Sequence, residues 1–230
     1  GHDAVEEFGA LLEELIAKRR EQPTGAEMGE VLVSLIFGEV KGERLSPLEL
    51  VQNCIFLLNA GHETTANLVA NGIGILLDFP DQMDRLREDP SLIKTAVEEF
   101  LRFQSPLQVG NRKALEDIEM GPEGSKVLIP AGTFLHTCIG AANRDPEIFD
   151  DPEAVDIGRK PNPQIAFGIG KHICMGNTLG RIEGHTAIGK FVKKFPKLPT
   201  SVYGNKTVEG YEDVMRSISP EEVTSKIMDI

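Results

Sequence analysis

Three groups of residues in this 230-residue chain carry side chains that could do chemistry. The first is Cys174, inside Phe167-Gly168-Ile169-Gly170-Lys171-His172-Ile173-Cys174-Met175-Gly176. A glycine-rich turn precedes it, and Leu179, Ile182, Ile188, Phe191, Val192 and Phe195 follow at helical spacing, so the sulfur is expected at a helix N-terminus. There the helix dipole and unpaired amides favour a thiolate, a soft and strongly donating metal ligand. The second group is Ala60-Gly61-His62-Glu63-Thr64-Thr65, set in an apolar segment. Burying a carboxyl group costs several kcal/mol (about 2–7 for an unpaired polar group) unless it is paired or solvated, so Glu63 is expected to have a purpose there. Third is Glu99 with Arg102, an i, i+3 pair able to meet on one helix face, where a solvated surface ion pair is the plain alternative.

The spacing around Cys174 resembles the haem-binding loop of the cytochrome P-450 family, Phe-Gly-x-Gly-x-His-x-Cys-x-Gly in many bacterial members, and matches it at every fixed position. By that resemblance Cys174 is the proximal iron ligand of haem b (iron protoporphyrin IX), His172 bonds a propionate, Phe167 covers the sulfur, and Gly168 and Gly176 shape the loop. The small-Gly-x-acid-Thr pattern resembles the family's long distal helix. Ala60 and Gly61 then leave room beside the iron for dioxygen, the Thr64 hydroxyl can bond back to the Ala60 carbonyl, and Glu63 and Thr64 relay protons. Glu99 and Arg102 become a structural lock that holds the haem-binding segment, and Arg112 becomes a second propionate partner. The family's usual third lock residue is an arginine or histidine; Ala154 stands in its place, so either Arg159 substitutes or the lock has two members. Pocket residues visible here are Phe56, Asn59, Ala60, Leu107, Gln108 and Val109, which imply a mainly apolar small organic substrate.

The elements that must position these groups follow from periodicity. Val5, Phe8, Leu11, Leu12, Leu15 and Ile16 predict an amphipathic helix from about Asp3 to Arg20, ended by Gln22-Pro23-Thr24-Gly25. A second is expected from about Ala26 to Phe37, before a polar turn. Ser46-Pro47-Leu48-Glu49 is a capping box with proline at the first helical position, starting a long helix to about Asp78 that Pro80 stops. Apolar residues on nearly every face predict that this helix is buried. A short helix over Pro80 to Glu88 and another ending before Ser105-Pro106 come next. Then β-branched runs mark strands at Leu107 to Ala114, Ile118 to Met120, Lys126 to Ile129 and Thr133 to Leu135, with Pro130-Ala131-Gly132 as a turn. Gly140 to Pro146 and the Asp/Pro-rich meander after it also resemble bacterial members. Weak strands are expected near Val202-Tyr203, Val214 to Ile218 and Val223 to Ile227.

The fold class expected is mainly α with small β-sheets, one partial domain over 1–230. Its parts run 1–45 (two helices), 46–79 (distal helix), 80–105 (short helix and lock helix), 106–166 (strands and meander), 167–176 (Cys loop), 177–196 (proximal helix) and 197–230 (tail). A composition of 40% hydrophobic and 26% charged residues is that of a globular protein. The net charge of -12 argues against nucleic acid and anionic membrane as partners. Cys54, Cys138 and Cys174 lack the spacing of a disulfide scaffold or zinc site, which fits a reducing cytoplasm. No apolar run reaches membrane-spanning length, and the start does not read as a signal peptide.

The resemblance covers nearly the whole chain but corresponds to the C-terminal part of the family fold, without the N-terminal sheet and the helices that roof the substrate pocket. The expectation is a truncated chain: either a fragment of a longer enzyme, or one that self-associates through an exposed apolar face. The function implied is monooxygenation, one oxygen atom of dioxygen entering the substrate with electrons from a ferredoxin or flavoprotein. The alternative is a non-catalytic haem-binding or protein-interaction module. A cysteine nucleophile lacks any oxyanion or base arrangement at the required spacing.

Overall fold

The computed structural model describes residues 2–21, 31–39 and 42–195. The three weak strands expected after Pro196, the turn at 22–25 and the first residues of the second predicted helix lie outside them. Seven α-helices are described: α1 (His2–Glu21), α2 (Val31–Phe37), α3 (Pro47–Asp78), α4 (Pro80–Glu88), α5 (Ile93–Phe103), α6 (Ile139–Ala142) and α7 (Asn177–Lys194). Between α5 and α6 run four short strands, β1 (Val109–Lys113), β2 (Ile118–Met120), β3 (Val127–Ile129) and β4 (Phe134–Cys138). They form two antiparallel pairs, β1 with β4 and β2 with β3, and Arg112 lies opposite Leu135 in the first. The fold is thus helix-rich with small sheets, as the periodicity implied. No helix among the described residues is long and apolar enough to cross a membrane.

Where the sequence reading treats 1–230 as one partial domain, the residues cluster in two compact units, Gly1–Glu63 and Thr64–Ile230, with the boundary inside α3. In the first unit, Leu12, Ile16, Ile36, Leu50 and Val51 form a small apolar cluster. The capping box that starts α3 is present: the Ser46 amide donates to Glu49 Oε2 at 2.8 Å, and the Glu49 amide donates to Ser46 Oγ at 3.3 Å. That exchange satisfies two amides that the helix itself leaves without partners, which is why α3 starts where it does.

The second unit holds the larger core. Leu68, Val69, Ile73, Ile75 and Leu76 of α3 pack with Met83, Leu86, Val97, Phe100, Ile188, Phe191 and their neighbours on α4, α5 and α7. Gly72 makes this close packing possible: a Cβ there would lie 2.7 Å from Ile188 Cδ1 and 2.9 Å from Phe100 Cδ2. Any larger residue would push the helices apart or force both side chains off their rotamers.

One expectation is corrected. The long helix is not buried throughout, since residues 58–64 of α3 are exposed. Apolar composition does not by itself bury a helix; each face needs something packed on it. Glu63 is exposed with the rest of that stretch, so the cost of burying a carboxylate does not arise for it. Helix α7 begins at Asn177, where the proximal helix was expected, three residues beyond Cys174, with Gly176 in the capping position.

A cysteine loop and a buried charge hub

Cys174 is exposed, and its loop is shaped by backbone bonds rather than by packing. Gly168 and Gly170 both sit at φ +72, the left-handed region that costs a side chain about 1 kcal/mol or more, so glycine is required to turn the chain twice there. A single 3-10 turn over Gly170–His172 follows, and the Cys174 amide closes the loop by donating to the Phe167 carbonyl at 2.8 Å. The Cys174 carbonyl accepts from Asn177 Nδ2 at 2.6 Å and from the Asn177 amide at 3.3 Å. A Cβ on Gly176 would stand 4.0 Å from the sulfur, so glycine there leaves one flank of the thiol clear.

Phe167 packs against the apolar core with its ring edge 3.6 Å from where a Cβ of Gly180 would stand, and the Arg181 guanidinium lies 4.5 Å from its ring centroid. His172, Ile169, Ile173 and Met175 are exposed on the loop, and Leu179 is exposed at the start of α7. Arg112, exposed on β1, donates to the neighbouring Asn111 carbonyl at 2.8 Å. Among the described residues no three His, Cys, Asp or Glu side chains gather into a metal site. A metal at Cys174 would therefore have fewer than three such protein ligands and would have to bring most of its ligands with it, as a macrocycle does. The donor set, an exposed sulfur rimmed by apolar side chains, fits that arrangement.

Ahead of the loop in sequence lies a charge hub whose central pair does not touch solvent. The Glu99 and Arg102 side chains are each 0% exposed and meet at 2.7 Å and 2.8 Å. Arg102 uses every N–H it has: Nε and one Nη2 proton go to Glu99, the other Nη2 proton to the Ala154 carbonyl, and Nη1 to the carbonyls of Asn143 and Pro152. Glu99 also accepts from Arg159 Nε at 3.1 Å and 3.2 Å, from Asn162 Nδ2 at 3.2 Å and from the Asp156 amide at 3.0 Å. Arg159 supplies the second guanidinium, and residue 154 keeps a part through its carbonyl, which needs no particular side chain.

Arg159 also donates to the carbonyls of Asp150 and Asp151, the latter from a residue held at φ 47. Asp156, next to the hub, has its acidity set by opposing effects. Burial pushes its carboxyl up, but the Gly158 amide and the charges of Arg85 and Arg159 outweigh this and hold it below the usual aspartate range. Sequence reasoning missed Asn143. Its side chain is fully buried, accepts from the Ile165 amide at 2.8 Å and donates to Ser105 Oγ at 2.9 Å, tying the chain just ahead of the loop to the end of α5. Its position in the Gly140 to Pro146 stretch, noted only as a likeness, was the available signal.

On α3, Thr65 Oγ1 donates to Glu183 Oε2 of α7 at 3.0 Å. Burial pushes the Glu183 carboxyl up, and the Thr65 hydroxyl pulls it part of the way back. Phe56, Asn59, Ala60, Gly61 and Glu63, in the first unit, are exposed. In the second unit Thr64, Leu107, Gln108 and Val109 are exposed too, and Gln108 Nε2 donates to the Ser105 carbonyl.

Comparison with known proteins places this geometry. The family model described as Cytochrome P-450 matches residues 1–223. The biotin biosynthesis cytochrome P-450 of Bacillus subtilis is 42% identical over 189 residues, which are 82% of this chain and 46% of that protein. Vitamin D(3) 25-hydroxylase of Pseudonocardia autotrophica is 40% identical over 222 residues, 96% of this chain and 53% of that one. Among solved structures, P-450BioI in complex with acyl carrier protein ligated to hexadec-9Z-enoic acid superimposes with a TM-score of 0.74 at 42% identity, covering 83% of this chain and 47% of the other. CYP109E1 from Bacillus megaterium in complex with testosterone gives 0.79 at 34% identity, covering 90% and 56%. The chain spans about half the length of the curated relatives it matches.

Proposed function

The chain belongs to the cytochrome P-450 family, whose cofactor is haem, and from that premise we propose that it forms the haem-thiolate part of a monooxygenase. The observation that carries the proposal is the Cys174 loop: an exposed sulfur, clear on its Gly176 flank, in a loop closed by its own backbone. Bound at Cys174, haem b would supply the activation of dioxygen that no side chain can provide.

The chain's own residues have the remaining tasks. Cys174 holds the iron and donates electron density to it as a thiolate. His172 and Arg112, both exposed hydrogen-bond donors, hold the propionates. Glu63 and Thr64 pass protons toward the reacting oxygen, while Ala60 and Gly61 keep that stretch of α3 small. Phe167, fixed under Arg181, braces the loop from the side of α7. Glu99 and Arg102 take no part in the chemistry; they keep the segment that leads into the loop on one path.

The substrate is a small, mainly apolar organic molecule, a class suited to the exposed apolar surface that Phe56 presents in the first unit and Leu107 and Val109 in the second. Relatives that bind testosterone or a fatty acyl chain agree with that class. Electrons come from a ferredoxin or flavoprotein.

The test is the spectrum of the purified chain loaded with haem, reduced and treated with carbon monoxide. A red-shifted Soret band marks thiolate ligation, and Cys174→Ala should abolish it; the same band in Cys174→Ala would mean that another residue holds the iron. Thr64→Ala should keep the band and, with a redox partner, consume more electrons per product formed. A chain that takes up no haem would favour the second reading, a docking module using the exposed Phe56 and Leu58.

A further inference from the structure

Helix α5 carries two adjacent carboxylates, and only Glu99 belongs to the hub. The other, Glu98, is partly buried, and its two oxygens are both engaged by residues on either side of the cysteine loop. Ahead of the loop, Gln164 Nε2 donates to Glu98 Oε2 at 2.8 Å, and Gln164 Oε1 accepts from the Ala166 amide at 2.6 Å. Ala166 adjoins Phe167, whose carbonyl receives the Cys174 amide. Beyond the loop, Arg181 donates to Glu98 through Nε at 2.6 Å and Nη2 at 3.2 Å. Arg181 Nη1 then reaches Asn177 Oδ1 at 3.0 Å, and Asn177 Nδ2 holds the Cys174 carbonyl at 2.6 Å. The same guanidinium lies over the Phe167 ring.

The peptide N–H and C=O of Cys174 are therefore fixed by two different partners, and both partners trace back to one carboxylate. A single half-exposed ion pair stabilises a fold very little, so the importance of this one is geometric. A shift of the loop in either direction must stretch a charge-assisted bond to Glu98, and those are the stronger and more directional hydrogen bonds. Charge at Glu98 also sets where the Arg181 cation stands relative to Phe167 and the loop.

We propose that Glu98 is the positioning residue of the Cys174 loop, a two-sided clamp that fixes where the sulfur sits. Resting on the reading of Cys174 as the iron ligand, the clamp also fixes the geometry of the sulfur–iron bond.

Hydrogen exchange on the 230-residue chain without haem tests the clamp alone. In Glu98→Ala the Cys174 amide should exchange faster by on the order of tenfold, with the β1 and β4 amides unchanged, because only the loop is released. Glu98→Gln keeps one acceptor oxygen, puts an NH2 donor in place of the other and removes the charge, so it should fall between Glu98→Ala and the parent. On the haem-loaded chain, Glu98→Ala should move part of the reduced carbon monoxide Soret band away from its thiolate position, a change that a general loss of stability does not produce in the folded fraction. A Cys174 amide rate within about twofold of the parent in folded Glu98→Ala overturns the proposal. Should Glu98→Ala not fold, Arg181→Lys serves instead: it keeps a cation beside Glu98 but loses the fork to Asn177, so faster Cys174 exchange supports the clamp and an unchanged rate rejects it. Because the exchange arm contains no haem, a parent chain lacking the thiolate band would reject the ligand assignment and leave the clamp to be judged by exchange.

Discussion

Two regions of the second unit, the Glu99 hub and the Cys174 loop, treat polar atoms in opposite ways. Around Glu99 every N–H of Arg102 is satisfied, the Glu99 and Arg102 side chains are fully buried, and the partners come from three separate stretches, 143, 152–154 and 156–162. Around Cys174 the backbone closes on itself and the side chains face outward. The difference follows from what each must do. A charge buried in a low-dielectric interior is tolerated only with complete pairing, and complete pairing also makes it rigid. A sulfur that is to bond a large flat ligand has to be left accessible, so its position must be imposed from elsewhere.

That contrast can be broken by substitution, beginning with the hub. Glu99→Gln leaves Arg102 and Arg159 facing each other without a carboxylate, and should cost about 3–5 kcal/mol in urea unfolding, the range for removing one partner of a buried pair. Arg159→Ala should cost less, about 1–3 kcal/mol, because Arg102 still neutralises Glu99; an effect no greater than that of a surface substitution would mean the lock has two members after all.

Smaller again is the effect at Glu183. Its carboxyl is held above the ordinary glutamate range by burial, so the folded chain keeps that proton more tightly than the unfolded chain does. The resulting stability is full below the ordinary glutamate range and is lost as pH rises through the raised value. Glu183→Gln, which imitates the protonated form, should therefore be the more stable protein at neutral pH, and the advantage should vanish in acid; thermal melts across the pH range measure this. Least of all, Cys174→Ala should leave unfolding within about 0.5 kcal/mol of the parent, since an exposed thiol adds little to packing, while removing the thiolate band entirely. A large loss of stability there would show that the loop supports the fold and would erase the contrast.

The helices were largely legible in the chain because their signals are local. Pro47 and the Ser46–Glu49 box mark the start of α3, Pro80 marks its end, and the glycines at 168 and 170 mark the turns of the loop. Burial of α3 was less legible: a list of apolar residues does not reveal which faces are covered, and residues 58–64 are exposed. The same limit explains Glu98. Beside Glu99 it looks like an ordinary helix-surface acid, and nothing near it in sequence points to Gln164 or Arg181.

By itself, then, the order of residues determined the chemistry on offer: one cysteine between a glycine turn and a helix, an acid and a threonine on α3, a glutamate and an arginine one helical turn apart. These depend on spacings of a few residues, which the chain carries wherever it goes. Tertiary structure alone decided that Arg159 meets Glu99, that Asn143 and Glu98 bond to the segments flanking the loop, and that Glu99 is wholly buried. Those outcomes turn on the path of residues 150–166, which have no periodicity to read and take their course only when the core and the two arginines close around them.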